Sequence, residues 1–214
     1  MHRIVPAFLA LPVVAAACQS TGIEQAENTA QSLHALQLSL AAAPARVDAA
    51  ADALLAIDRA GDRKAAFAAF GSALDELVVD RERVQALREA VEADEADYTG
   101  AWGERLDAIH DADLRKRAAT RRDAVVEQFG DLLADVDRAQ QQFGPWLQTA
   151  LDVRAYLEDE LNAGGVASVR DRIQGLDRDS ASVRAQLDKV VHQLGEMEQS
   201  IVDVQPSATA TAAR

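Results

Sequence analysis

Few residues of this 214-residue chain are of types that do chemistry, and their spacing limits what that chemistry could be. Asp107-x-x-His110 is the nearest approach to the Glu-x-x-His unit with which helical bundles hold paired metals, and it has no second copy. His34 and His192 have no acidic residue three positions upstream, so the histidines read as surface residues and no metal or other cofactor is expected. There is no Gly-x-Ser-x-Gly elbow to present a serine nucleophile. A phosphate loop needs a lysine directly after a glycine, and none of Lys64, Lys116 or Lys189 follows one. Glu92, Asp94, Glu95 and Asp97 read as a solvated acidic face rather than a catalytic pair. Cys18 is the only cysteine and can form no internal disulfide, so it is better explained as an anchor than as a nucleophile. The expectation is a protein that is not an enzyme.

One charged feature stands out. Arg115, Lys116, Arg117, Arg121 and Arg122 lie within eight positions that hold no acidic residue. Two readings are open: a solvated face with local pairs to Glu104 and Asp107, or a docking patch for an anionic partner such as lipid headgroups, an acidic protein or a cell-wall polymer. The chain as a whole carries a net charge of −13 with a pI near 4.7. That balance argues against nucleic acid, and against bulk anionic membrane, as the main partner, because phosphates demand a basic footprint.

The N-terminus reads as an address. Arg3 supplies a positive start, and Ile4 to Val14 form an apolar run too short to span a bilayer. Ala15, Ala16 and Ala17 then precede Cys18, and the stretch resembles a bacterial lipobox, with Ala15 where leucine is most common. The resemblance implies that residues 1–17 are a signal peptide and that Cys18 is acylated as the mature N-terminus, with residues 18–21 as a short lead. An ordinary signal peptide that leaves a free thiol is the other reading. Gln19 stands where an aspartate would favour inner-membrane retention, so the resemblance points to the outer membrane, facing the periplasm. Several acyl chains would anchor stably at about 0.8 kcal/mol per buried methylene.

The elements that would carry these residues are helices. The sequence is 49% hydrophobic but only 4% aromatic, with 11 Gly and 5 Pro, which suits a core of Ala, Leu and Val on long helices and not a turn-rich sandwich or barrel. From Val166 a 3-4 spacing runs through Val169, Ile173, Leu176, Ser180, Val183, Leu187, Val190, Leu194, Met197, Ile201 and Val204, broken only at Ser180. A first helix carries Leu33, Leu36, Leu40, Ala43, Val47, Ala50, Leu54 and Ile57, and Gly61-Asp62 ends it. A second, from about 63 to 109, turns Phe67, Phe70, Leu74, Leu77, Val84, Leu87, Val91, Tyr98, Trp102, Leu106 and Ile109 inward. A third turns Leu114, Ala118, Val125, Phe129, Leu132, Val136, Phe143, Ala150, Val153, Leu157 and Leu161 inward, with Asp111 or Asp113 as its cap, and Asn162 to Gly165 separate it from the fourth. Residues 205–214, a Pro/Ser/Ala/Thr string, are expected to be a disordered tail.

Short connections place neighbouring helices antiparallel, so residues 22–204 are expected to form an all-α, elongated up-down four-helix bundle with coiled-coil-like packing. A partly open coiled coil completed by another chain is the alternative. Pro44 and Pro145 each remove a backbone donor, and both should kink their helices at one height. The second-third hairpin should overshoot the start of the first helix by roughly 10 residues, about 15 Å, at the end where Cys18 lies.

With helices in place, the chain resembles a bacterial family of coiled-coil lipoproteins known as domain of unknown function twenty-nine fifty-nine. The matching stretches are Asp113-Leu114-Arg115-Lys116 followed by Thr120-Arg121-Arg122, Pro145-x-Leu147, Leu161-Asn162-Ala163 and Ala167-Ser168-Val169, over about residues 22 to 203. The resemblance implies no activity, substrate or catalytic residue. The expected function is a non-enzymatic structural or adaptor lipoprotein, attached to the membrane and binding a protein partner or itself through its helices. A periplasmic binding module or chaperone for an apolar ligand is the alternative, favoured by a Leu- and Val-lined cavity near Pro44 and Pro145.

Overall fold

The computed structural model describes residues 22–59 and 61–202. The leader, Cys18, the short lead, Val204 and the expected tail lie outside the described residues. Within them the chain forms α1 (Gly22–Ala41), α2 (Ala43–Asp58), α3 (Arg63–Leu106), α4 (Ala112–Asp159) and α5 (Ala163–Val202). These elements make four antiparallel rods, α1 and α2 being two halves of the first.

Three of the four rods begin on a side-chain cap. Asp62 Oδ1 accepts from the Ala65 amide at 3.0 Å and Asp111 Oδ1 from the Leu114 amide at 2.8 Å. Asn162 Oδ1 accepts from the amides of Gly164 and Gly165 at 2.9 and 3.0 Å. Each satisfies donors that a helix start otherwise leaves orphaned. The Asn162 cap corrects the expected separator. Gly164 and Gly165 are not loop but the first turn of α5, and the chain turns so tightly that a Cβ on Gly165 would sit 2.0 Å from the Glu160 carbonyl oxygen.

The two prolines act differently. Pro44 has no N–H to offer the preceding turn, and the first rod breaks at Ala42 and restarts as α2, with the Arg46 amide bonded to the Ala42 carbonyl at 3.2 Å. Pro145 lies inside α4, which runs on without a break. Gly144 before it has no Cβ to clash with the proline ring. Trp146 after it is pinned, its indole N–H donating to the Leu176 carbonyl of α5 at 3.0 Å. Ala43 and Phe143 line one small void, so the two prolines do sit at one level.

Packing runs around a square: α1 and α2 contact both α3 and α5, and α4 contacts both as well. Ion pairs mark the seams. Arg46 of α2 meets Glu76 and Asp80 of α3, and Arg88 of α3 meets Asp137 of α4. Lys189 of α5 meets Asp135 of α4, and Arg184 and Arg170 of α5 meet Asp48 and Asp58 of α2. Along each seam one residue number rises as the other falls, the mark of antiparallel neighbours.

The whole first stripe, Leu33 to Ile57, is buried, and so is the fourth from Ile173 to Ile201, Ser180 included. Ser180 satisfies its hydroxyl on the Asp177 carbonyl at 2.6 Å. The core is one continuous cluster from Ala26 to Ile201. Its internal void, among Leu40, Leu77, Val84, Val136 and Leu187, measures about 30 Å³. That is about the space of a single water, and the lining is apolar.

Candidate functional site

The hairpin between α3 and α4 differs from the rest of the bundle. α3 has 44 residues, against 37 positions from Gly22 to Asp58 (58 − 22 + 1 = 37), an excess of 7 or about 10 Å. The overshoot is therefore real but shorter than the sequence suggests, because α3 stops at Leu106 and not at Ile109. Gly22, the first described residue, lies beside the end of α3: a Cβ there would come 2.8 Å from Arg105 Nη2, and Arg105 also reaches Gln25 at 3.3 Å. Past this level α3 and α4 have only each other as neighbours among the described residues, and no residue from Gly100 to Ala124 is buried.

Several expected core positions are corrected by this geometry. Leu114 is 57% exposed rather than inward. Trp102, Leu106, Ile109 and Ala118 are only partly covered. Tyr98 and Trp102 stack at 5.8 Å between ring centroids with a 49° tilt and pack against the end of the core. Burial pushes the Tyr98 hydroxyl up, while the guanidinium groups of Arg121 and Arg105 pull it down, which places both cations within its field.

The five cations of the cluster sit on this hairpin. Arg115, Lys116, Arg117 and Arg121 are exposed and Arg122 is half-buried. The expected local pairs to Glu104 and Asp107 do not form. Arg122 pairs with its neighbour Asp123 at 2.6 Å, and the other four make no ion pair within the described residues. Lys116, Arg117 and Arg121 join Asp113, Thr120 and Ala124 along one open stripe of α4. Small side chains at Thr120 and Ala124 leave it low between the cations.

The acidic face predicted at Glu92 to Asp97 is only partly solvated. Asp94 accepts a short hydrogen bond from the Ser32 hydroxyl, its carbonyl accepts from Thr29 at 3.1 Å, and Glu95 accepts from Thr99 at 3.1 Å. His34, His110 and His192 are exposed, with His34 against Glu198 at 3.1 Å and His192 against Glu196 at 3.3 Å. Among the described residues no group of three or more His, Cys, Asp or Glu could hold a metal ion, and no helix is long and apolar enough to cross a membrane.

The sequence reading missed one buried polar knot. Asp135, 6% exposed, accepts from Gln193 at 2.8 Å and Lys189 at 3.0 Å, with Arg138 at 2.8 Å. The hydrogen bonds from Gln193 and then Lys189 hold its carboxyl below its ordinary value. An acid beside the inward Val136, flanked by Leu132 and Ala139, is the signal that could have found it.

No curated protein and no solved structure matches the chain. The family described as Protein of unknown function (DUF2959) matches residues 16–203, nearly the whole of it, and the chain belongs to that family.

Proposed function

We propose that the protein is a non-enzymatic structural or adaptor lipoprotein that holds a helical rod at the bacterial cell envelope, anchored through Cys18 in the outer membrane and facing the periplasm. The observation that carries this reading is a continuous core of buried side chains from Ala26 to Ile201, in which the void at the level of the two prolines has room for about one water. A binding module or chaperone for an apolar ligand would need a few hundred Å³ in that core. The chain also enters α1 beside the basic hairpin, only four positions after Cys18, so an acyl anchor would stand the rod on that end.

Fractionation of cells that express the full chain tests the anchor. The wild-type protein should remain with membranes after a high-salt wash, and Cys18→Ser should be released as a soluble protein or remain uncleaved. A cleaved Cys18→Ser protein that still resists the wash refutes the anchor. Cross-linking in intact cells then identifies the partner that an adaptor requires.

A further inference from the structure

We propose that the α3–α4 hairpin tip docks on anionic lipid headgroups, with Lys116, Arg117 and Arg121 as its principal contacts and Arg115 and Arg122 at its edges. The placement of the tip at a membrane rests on the anchored reading above; its affinity for such a surface does not.

Three observations support this occupant. The first is a dense, exposed cluster of cations. In the body of the bundle Arg46, Arg88, Arg154, Arg170, Arg184 and Lys189 each reach a carboxylate on a neighbouring helix. At the tip Arg115, Lys116, Arg117 and Arg121 reach none among the described residues. Of the tip's own carboxylates, Asp111 caps α4, Asp123 pairs with Arg122, and Glu104, Asp107 and Asp113 are exposed with no ion pair among the described residues. Lys116, Arg117 and Arg121 therefore present their charges to solvent along one stripe of α4.

The second is amphipathic composition. Leu114 projects into solvent one position from Arg115, and partly covered Trp102, Leu106 and Ile109 lie on the same hairpin. Arginine and tryptophan with a few exposed aliphatics suit the headgroup layer, where one end of a side chain is wet and the other apolar. An acidic protein would be met as well by the charges, and failure to bind anionic vesicles would point to it.

The third is reach. Gly22 is packed beside Arg105, and the four residue steps from Cys18 to Gly22 can span at most about 14 Å. The hairpin overshoots Gly22 by about 10 Å, so a chain anchored at Cys18 would hold the tip within about a Debye length of the surface, roughly 8 Å at physiological salt. The net charge of −13 is that of the whole chain, and residues 100–124, with six cations and five carboxylates, contribute none of the acidic excess, which an upright bundle carries away from the surface.

The experiment uses the chain from Gln19 onward, which keeps every core residue from Ala26 to Ile201 and has no acyl anchor. Co-sedimentation is measured with vesicles of phosphatidylcholine alone and of an equal mixture with phosphatidylglycerol. Binding should be confined to the anionic vesicles and weaken as salt rises. Replacing Arg115, Lys116, Arg117, Arg121 and Arg122 with Gln should lower the affinity at least about tenfold, since each cation near such a surface contributes roughly fivefold before screening. Leu114→Ser should weaken it further. None of these side chains is buried, so unchanged circular dichroism and melting should show that the variants fold. No binding to anionic vesicles, or binding that the five substitutions leave intact, overturns the proposal. Because this chain carries no anchor, that result leaves the Cys18 fractionation to stand or fall by itself.

Discussion

The fourth-helix stripe makes a quantitative prediction when the same substitution is placed at two leucines. Leu187 of α5 is 4% exposed and lines the small apolar void, whereas Leu114 of α4 is 57% exposed on the hairpin tip. Leu187→Ala removes three buried carbons, worth about 2 kcal/mol at roughly 0.8 kcal/mol each. The vacated space opens onto the existing void, so the walls at Leu40, Leu77, Val136 and Val190 cannot close it by small shifts. An added cavity of roughly 50–80 Å³ costs about 1–2 kcal/mol more, for a total of about 3–4 kcal/mol. In a chain of this size that should lower the melting temperature by about 10 °C. Leu114→Ala removes side-chain surface that solvent already wets and should stay within about 0.5 kcal/mol of wild type. Thermal and urea unfolding followed by far-ultraviolet circular dichroism measures both. Equal losses for the two variants, or less than about 1 kcal/mol for Leu187→Ala, would refute the assignment of the stripe to the core and of the tip to solvent.

Two further perturbations probe the polar knot and the last turn. The Asp135 carboxyl is depressed by Gln193, Lys189 and Arg138, so its stabilising contribution is complete above the unfolded value of about 3.9 and is lost as pH falls through the lower folded value. The stability gap between wild type and Asp135→Asn, measured by urea titration across a pH series, should therefore narrow below about pH 4; a gap that stays constant would refute the depression. Gly165→Ala would drive a Cβ against the Glu160 carbonyl, a backbone atom that cannot swing away, and should cost about 1–3 kcal/mol in the same assay. An unchanged midpoint would show that the α4–α5 turn is wider than 2.0 Å allows.

Much of the bundle was legible in the sequence because its information is local. Leu33 to Ile57 and Ile173 to Ile201 repeat at the spacing that keeps one face of a helix against its neighbours, and those faces are buried. Asp111 announces a helix start by the oxygen it offers a free amide. What could not be read locally depends on chain that is distant in sequence. Pro44 and Pro145 look alike as residues, yet one interrupts its rod and the other does not, and part of the difference is an indole bond from Trp146 to Leu176, 30 positions on. Asp135 is marked locally by the inward Val136 beside it, but its partners Lys189 and Gln193 lie more than 50 positions on, in α5.

The tip shows the same limit from the opposite side. Leu114 and Ala118 continue the apolar spacing of Val125 and Phe129 without a change of period, so pattern alone sends all four inward. Whether a face is inward is decided by what stands opposite it, and the described part of the first rod starts at Gly22. Helix length was the informative quantity: 44 and 48 residues in α3 and α4 cannot both be matched by a first rod of 37 positions and an α5 of 40 described residues. The same arithmetic accounts for the unpaired cations. Several cations of the body find a carboxylate on a neighbouring helix, as Arg46 finds Asp80 and Arg184 finds Asp48. On the overshooting hairpin Arg115, Lys116, Arg117 and Arg121 are exposed and reach no carboxylate among the described residues. Their availability to an anionic partner thus follows from unequal helix lengths as much as from the cluster of basic residues itself.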